Sequence, residues 1–419
     1  MLERPCQPVL LLIALAGCSS ASGSESNAEH GSPPGSPDGG SPPAVDGGTT
    51  DGAPHPDAGG GSGADAGGDA PSAGPPVTTL RVHYPAGTHT ITLRASAAPW
   101  SWNAGAKMTA GPNGTWTIST TAITAPFQFK PLLDDTTWSL GPNYNASPGA
   151  TVDVYPRFTQ VAGTWSLAFQ FTSKILGNTR GIYVYEPPTY IENSLASMPV
   201  LYMHDGQNLF DPSASFAGNT WQVQQTMDAA ATDGSIAEAI VIGIDNTADR
   251  MSEYTPVPDT TQSPPGGNGE QYLQMIIQEL KPQIDSTMRT LPDRAHTSMV
   301  GSSLGGLITA YAGVKHADVF GLVGALSPST WWDSDWIVTD VGMTPASPRP
   351  IRVYVDSGDS GTGNDDVTDT ASLDAAYKAL GYVQGPTLDY LVQAGGQHSE
   401  IYWAQRLPGT LAFLLGPGR

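Results

Sequence analysis

Cysteine is nearly absent. The 419 residues hold two, Cys6 and Cys18, both within the first twenty positions. That excludes a disulfide framework or a cysteine metal site from the rest of the chain. Basic residues are also scarce: 18 Lys and Arg stand against 39 Asp and Glu, a formal charge of −21. Nucleic acid, which calls for basic patches, is not an expected partner. A neutral small molecule or a polysaccharide suits this balance better. Histidine is thin as well, and after His316 only His398 remains.

The N-terminus reads as an export signal over residues 1–18. Arg4 supplies the positive end, and Val9 to Ala16 is an apolar run too short to span a bilayer. Leu15-Ala16-Gly17-Cys18 resembles a bacterial lipobox. The resemblance implies a lipid on Cys18, which becomes the mature N-terminus, and Ser19 after it implies sorting to the outer membrane. An ordinary secretory signal is the alternative. Residues 19–76 are mostly Gly, Ser, Pro, Ala and Asp, with no Lys or Arg. Such a stretch cannot bury enough apolar surface to offset its chain entropy, so a flexible tether is expected.

Residues 77–165 change character. Short alternating runs, such as Leu80-Arg81-Val82 and Ile91-Thr92-Leu93, are separated by turn residues, the pattern of a small all-β sandwich. The order of Trp100-Ser101-Trp102, Gly114-Thr115-Trp116, Phe127-Gln128-Phe129 and Trp138-Ser139-Leu140 resembles a starch-binding-type, immunoglobulin-like module. Exposed tryptophan would stack on sugar rings, whereas buried tryptophan would fill the sandwich core. Trp116 reads as core; Trp100, Trp102 and Trp138 fit either role.

Residues 166–419 alternate between near-continuously apolar strands and helical runs. Residues 181–185, 199–203, 239–244, 297–300, 321–327, 350–355 and 388–392 read as strands. Residues 271–291 read as a helix in which Pro282 introduces a kink. This alternation predicts a mostly parallel sheet covered on both faces.

Gly301-Ser302-Ser303-Leu304-Gly305 sits between a strand-like and a helix-like run, the context of a nucleophile elbow centred on Ser303. A hydroxyl needs a base to take its proton, and His398, after the last strand, is the candidate. A carboxylate must orient that histidine. Asp356, Asp359, Asp365, Asp366 and Asp369 all lie after the preceding strand, so the acid is left open among them. The oxyanion calls for two preset N–H donors. The candidates are Leu304, next after the serine, and Gly206 in the loop His204-Asp205-Gly206-Gln207-Asn208.

Tyr202-Met203-His204-Asp205-Gly206-Gln207-Asn208, Arg250-Met251-Ser252-Glu253-Tyr254-Thr255-Pro256, the elbow and Gly395-Gly396-Gln397-His398 together resemble the "Putative esterase" family of esterase D, enterochelin esterases, feruloyl esterases and mycolyltransferases. The resemblance implies an α/β-hydrolase fold, carboxylic-ester hydrolysis, and neither metal nor cofactor. It favours Asp365 as the acid, because Gly363-Asn364-Asp365-Asp366-Val367 is similar to the family's acid loop; Asp366 and then Asp359 follow. Arg250 and Glu253 are expected to pair structurally, with a substrate role as the alternative. The substrate expected is a carbohydrate-linked acyl or feruloyl ester, or a siderophore ester. Acyl transfer of the mycolyltransferase type and a non-catalytic carbohydrate-binding lipoprotein are the alternatives. Membrane contact is expected through the lipid alone. Cys18→Ala should release the protein from the membrane fraction; a wild-type N-terminus found unmodified at another residue by mass spectrometry would overturn the anchor.

Overall fold

In Thr78–His83 (β1), Thr78, Leu80 and Val82 are buried while the residues between them are half-exposed. Period-two burial of this kind makes one face of a sheet. Five further strands and three two-residue ones follow: Ile91–Ala95 (β2), Ala106–Lys107 (β3), Thr109–Ala110 (β4), Thr115–Thr120 (β5), Phe127–Leu133 (β6), Thr137–Trp138 (β7), Tyr144–Ala146 (β8) and Thr151–Val154 (β9). They form two sheets, β4-β5-β1-β9 and β3-β2-β6-β7 with β8 on β6. The computed structural model describes residues 74–343 and 348–416. The signal, Cys18 and the tether of residues 19–76 lie outside the described residues, apart from the last three positions of the tether.

Leu80, Val82, Ile91, Leu93 and Phe129, each with no exposed surface, fill the space between these sheets. The tryptophans divide. Trp100 is 8% exposed and joins this core, whereas Trp138 is 38% exposed. Trp102 and Trp138 lie 6.2 Å apart at the surface, with the Arg94 guanidinium 5.1 Å over Trp138. Trp116 packs half-buried against the core.

A third sheet has eight strands. Its strands are Thr164–Thr172 (β10), Thr179–Glu186 (β11), Val200–His204 (β12), Ile240–Ile244 (β13), Thr297–Ser303 (β14), Leu322–Pro328 (β15), Arg352–Gly358 (β16) and Leu388–Gln393 (β17). They run in the order β10-β11-β13-β12-β14-β15-β16-β17. Only β10 and β11 are antiparallel to their neighbours; β13 through β17 pair in parallel. Every residue of β12, β13 and β15 is buried, as expected where helices cover both faces. The expected boundary at 165/166 cuts into β10. That strand pairs with β11, and Trp165 stacks on Phe210 at 5.2 Å, so the sheet begins at Thr164.

The covering helices are Pro188–Glu192 (α1), Val223–Asp233 (α2), Arg250–Glu253 (α3), Gly269–Met275 (α4), Lys281–Thr287 (α5), Leu304–Lys315 (α6), Trp336–Met343 (α7), Val367–Ala379 (α8) and Glu400–Leu415 (α9). Between α4 and α5 the helix continues as a π-type turn, Ile276–Leu280. Pro282 has no N–H to give, and the wider turn resets the hydrogen-bond ladder just before it. The helix then stops at Thr287 rather than 291, because the N–H of Leu291 bonds Met198.

Sandwich and large sheet form one compact unit. Glu192, at the end of α1, is the joint. Its carboxylate accepts from the N–H groups of Phe158, Thr159 and Gln160, from the Thr159 hydroxyl, and from the Tyr84 hydroxyl of the sandwich. Burial opposes its charge, but the three backbone donors outweigh burial and hold the carboxyl below its ordinary value. The neighbouring Tyr84 phenol is pushed up to about 12, first by burial and then by Glu192. Asn193 adds bonds from its side-chain amide to the carbonyls of His83 and Pro156. Glu192→Gln turns a donor amide toward these N–H groups and should cost about 2 kcal/mol, read from denaturant midpoints. Because the folded carboxyl is depressed, that stabilisation is present at neutral pH and lost as pH falls through the folded value. An unchanged midpoint at pH 7 would remove Glu192 as the joint.

Candidate active site

The strand β14 ends at Ser303, whose backbone stands at φ 58°, ψ −127°, before α6 starts at Leu304. Few non-glycine residues adopt such a conformation, and it is retained here by tight surroundings. A side chain at Gly301 would meet the Gly305 carbonyl at 2.6 Å, and one at Gly306 would meet Pro328 at 2.9 Å. The N–H of Leu304 lies in the first turn of α6, where no carbonyl four residues back is available to it. Ser303 opens on a cavity of about 410 Å³ that it shares with His398, Gln207, Asn208, Arg250 and Glu400. The Ser303 hydroxyl lies 3.4 Å from that of Ser329.

The structure brings one of the five acids to the histidine. Asp365 Oδ1 is 2.6 Å from His398 Nδ1. The segment that delivers it is left-handed: Gly363, Asn364, Asp365 and Asp366 have φ of 65°, 50°, 52° and 54° in succession. Glycine, asparagine and aspartate are the residues that tolerate this region, so the local sequence permits a turn that others would strain. Asp365 is 1% exposed. Its second oxygen accepts from the Ser327 hydroxyl at 2.7 Å and from the Gly358 N–H. Burial works against its charge, and the bonds from His398, Ser327 and Gly358 overcome it, holding the carboxyl below its ordinary range.

The other acids lie elsewhere. Asp356 is buried in β16 as the 2.9 Å ion partner of Arg406, and burial pushes it up to about 6 despite that cation. Asp359 is exposed and accepts from the Gly395 N–H at 2.7 Å. Among the described residues no hydrogen bond joins Asp366 to His398, and burial raises its carboxyl. Asp369 sits in the first turn of α8.

Behind Asp365 lies a cluster that the sequence did not announce. Ser327 Oγ accepts from Trp403 Nε1 at 3.0 Å and from Arg406 Nη2 at 2.7 Å, while donating to Asp365. Its own N–H goes to Asp356. The Trp403 and His398 rings also meet edge to face, with their centroids 5.1 Å apart. Two signals were available: a Ser-Pro-Ser ending a buried strand, and Glu400, Trp403 and Arg406 at spacing three on one helix after the histidine.

In the loop after β12, Asp205 takes a left-handed conformation, φ 54°. Gly206 packs on the neighbouring strand: a side chain there would meet Gly243 at 2.7 Å. Gln207 and Asn208, rather than Gly206, are on the cavity wall. His204 is buried; its Nδ1 lies 2.9 Å from the Tyr272 hydroxyl, and burial lowers it to about 4, so it stays neutral. The expected Arg250–Glu253 pair does not form. Arg250 makes two bonds to Asp205, at 2.7 and 2.9 Å, and Glu253 pairs with Arg180 at 2.7 Å. In a helix of one turn, each charge found a closer buried partner. No cluster of three metal-ligating side chains occurs among the described residues. A larger cleft of about 560 Å³, between sandwich and sheet, is lined by Tyr144, Arg157 and Glu238 and holds none of these groups.

The model of the family described as "Putative esterase" matches residues 173–414. The uncharacterized protein YbbA of Bacillus subtilis is 26% identical over 253 residues, 58% of this chain and 95% of YbbA. The iron(III) salmochelin esterase of Escherichia coli O6:H1 is 30% identical over 222 residues, 48% of each chain. A xylanase/feruloyl esterase of Xylanibacter ruminicola is 25% identical over 247 residues, 57% of this chain and 29% of that protein. This chain thus spans about half of the salmochelin esterase and less of the xylanase.

Removing the Ser327 hydroxyl should loosen Asp365 and leave the buried Arg406 and Trp403 donors short of a partner. Ser327→Ala is expected to lower kcat about tenfold or more, with KM within about threefold, and stability by about 1–3 kcal/mol. Wild-type kcat in a folded Ser327→Ala protein would deny the hydroxyl any part in placing the acid.

Proposed function

The chain belongs to the "Putative esterase" family, and from that premise we propose that this carboxylesterase works through an acyl-enzyme on Ser303, with His398 as base and Asp365 as its orienting acid. The observation that carries the assignment is the 2.6 Å contact between Asp365 and His398 Nδ1, beside the cavity that His398 shares with Ser303. An ionised carboxylate only accepts, so Nδ1 carries the proton and Nε2 is left as the base. His398 takes the Ser303 proton as the hydroxyl attacks the ester carbonyl. The tetrahedral oxyanion is held by the Leu304 N–H and by an amide of the 205–208 loop. His398 returns the proton to the leaving alcohol, and water then repeats the cycle on the acyl-enzyme.

For the substrate we propose a carbohydrate-linked acyl or feruloyl ester, or a siderophore ester. The similarity to a salmochelin esterase and to a xylanase/feruloyl esterase supports these classes. The surface pair Trp102 and Trp138 supports a sugar contact on the sandwich. The site of action proposed is the cell envelope, through lipid on Cys18.

On a soluble butyrate ester, Ser303→Ala and His398→Ala should each lose about 10⁴-fold or more, and the double variant little further. Asp365→Asn should lose several orders of magnitude, while Asp359→Asn and Asp366→Asn stay within about tenfold. A mild Asp365→Asn variant would sink this triad.

A further inference from the structure

Glu400 has no part in the chemistry above, yet it lines the cavity with Ser303 and His398. It opens α9 two residues after the histidine, and only 8% of it is exposed. Asn208 Nδ2 donates to its Oε1 at 3.2 Å. Asn208 is itself fixed, since its Oδ1 accepts the Phe216 N–H at 3.0 Å. No bond from another residue to Oε2 is found among the described residues. Burial, with Asp205 adding to it, raises this carboxyl above its ordinary value. The carboxylate lines the cavity, so a group that brings a donor to it there gains a hydrogen bond that an apolar group cannot make.

The surroundings narrow the donor. An anionic substituent would be repelled by Glu400 and Asp205, and a cationic one, though drawn to these carboxylates, would be repelled by the Arg250 guanidinium on the same cavity wall. A neutral hydroxyl meets neither penalty. Gln207, Asn208 and Asn246 add uncharged groups to that wall. His398, which hands its proton to the leaving alcohol, is Glu400's close neighbour in the chain.

Resting on the proposed triad, we infer that Glu400 selects the ester by accepting a hydrogen bond from a hydroxyl on its alcohol side, so that the preferred substrates are acyl esters of polyols. A site that bonds a substrate hydroxyl discriminates strongly against the analogue lacking it. Glu400 is therefore a specificity residue.

The test compares glycerol 1-monobutyrate with n-propyl butyrate, which differ only in the hydroxyls of the alcohol, on the full-length protein. The wild type should favour the glycerol ester in kcat/KM by about tenfold or more. Glu400→Leu should bring that ratio close to one. Glu400→Gln, which keeps the shape and one acceptor oxygen, should retain part of the preference; it also serves if the leucine variant fails to fold. A wild-type ratio near one, or equal losses on both esters in Glu400→Gln and Glu400→Leu, would overturn the inference. Ser303→Ala reports separately on the triad: turnover in that variant would remove the mechanism, while the ratio still measures Glu400.

Discussion

One guanidinium among three strand and loop ends organises the catalytic edge. Arg406 is 3% exposed; its Nε lies 2.9 Å from Asp356, and its Nη2 lies 3.7 Å from Asp365 and 2.7 Å from Ser327. Buried charges survive only when paired and hydrogen-bonded. Taking away either carboxylate or the cation would leave the remainder uncompensated. That requirement ties α9, which carries Arg406, to β15, β16 and the acid loop. The pair of Asp365 and His398 is the solvent-facing end of this buried cluster, so its geometry is set from behind.

The parallel sheet supplies the rest of the arrangement. Strands β14, β15 and β16 lie side by side and point the same way. Their C-terminal ends therefore bring Ser303, the Ser327–Ser329 segment and Gly358 to one edge, where ligands bind in open α/β sheets. Chain order is far from spatial order here: Ser303 and His398 are separated by three strands and three helices, yet open on one cavity. The same edge receives the loop after β12, which contributes Gln207 and Asn208.

Much of this could be read from the sequence, and for physical reasons. Buried parallel strands write near-continuous apolar runs, and the elbow writes its glycines where backbone approaches backbone, as at Gly301. His398 was nearly unique by count. Partnerships set by tertiary packing were not legible. Arg250 and Glu253 have the right charges at helical spacing, but Asp205 and Arg180 reach them from other elements. Gly206 drew attention as the glycine in its loop, whereas it serves packing against Gly243. Ser327 looked like a strand-end serine, and only the fold reveals three side chains converging on its hydroxyl.

The left-handed run from Gly363 to Asp366 explains why the acid was hard to single out. A turn of that hand draws on a narrow alphabet of glycine, asparagine and aspartate. The carboxylates crowding the loop are therefore partly there for their backbones, and the decoys arise from chirality rather than from redundancy in the chemistry. At Asp366 the left-handed φ of 54° suits a short polar side chain. Drift at that position is confined to residues that also tolerate the turn, so substitutions that keep the acid loop in shape will tend to keep it looking ambiguous.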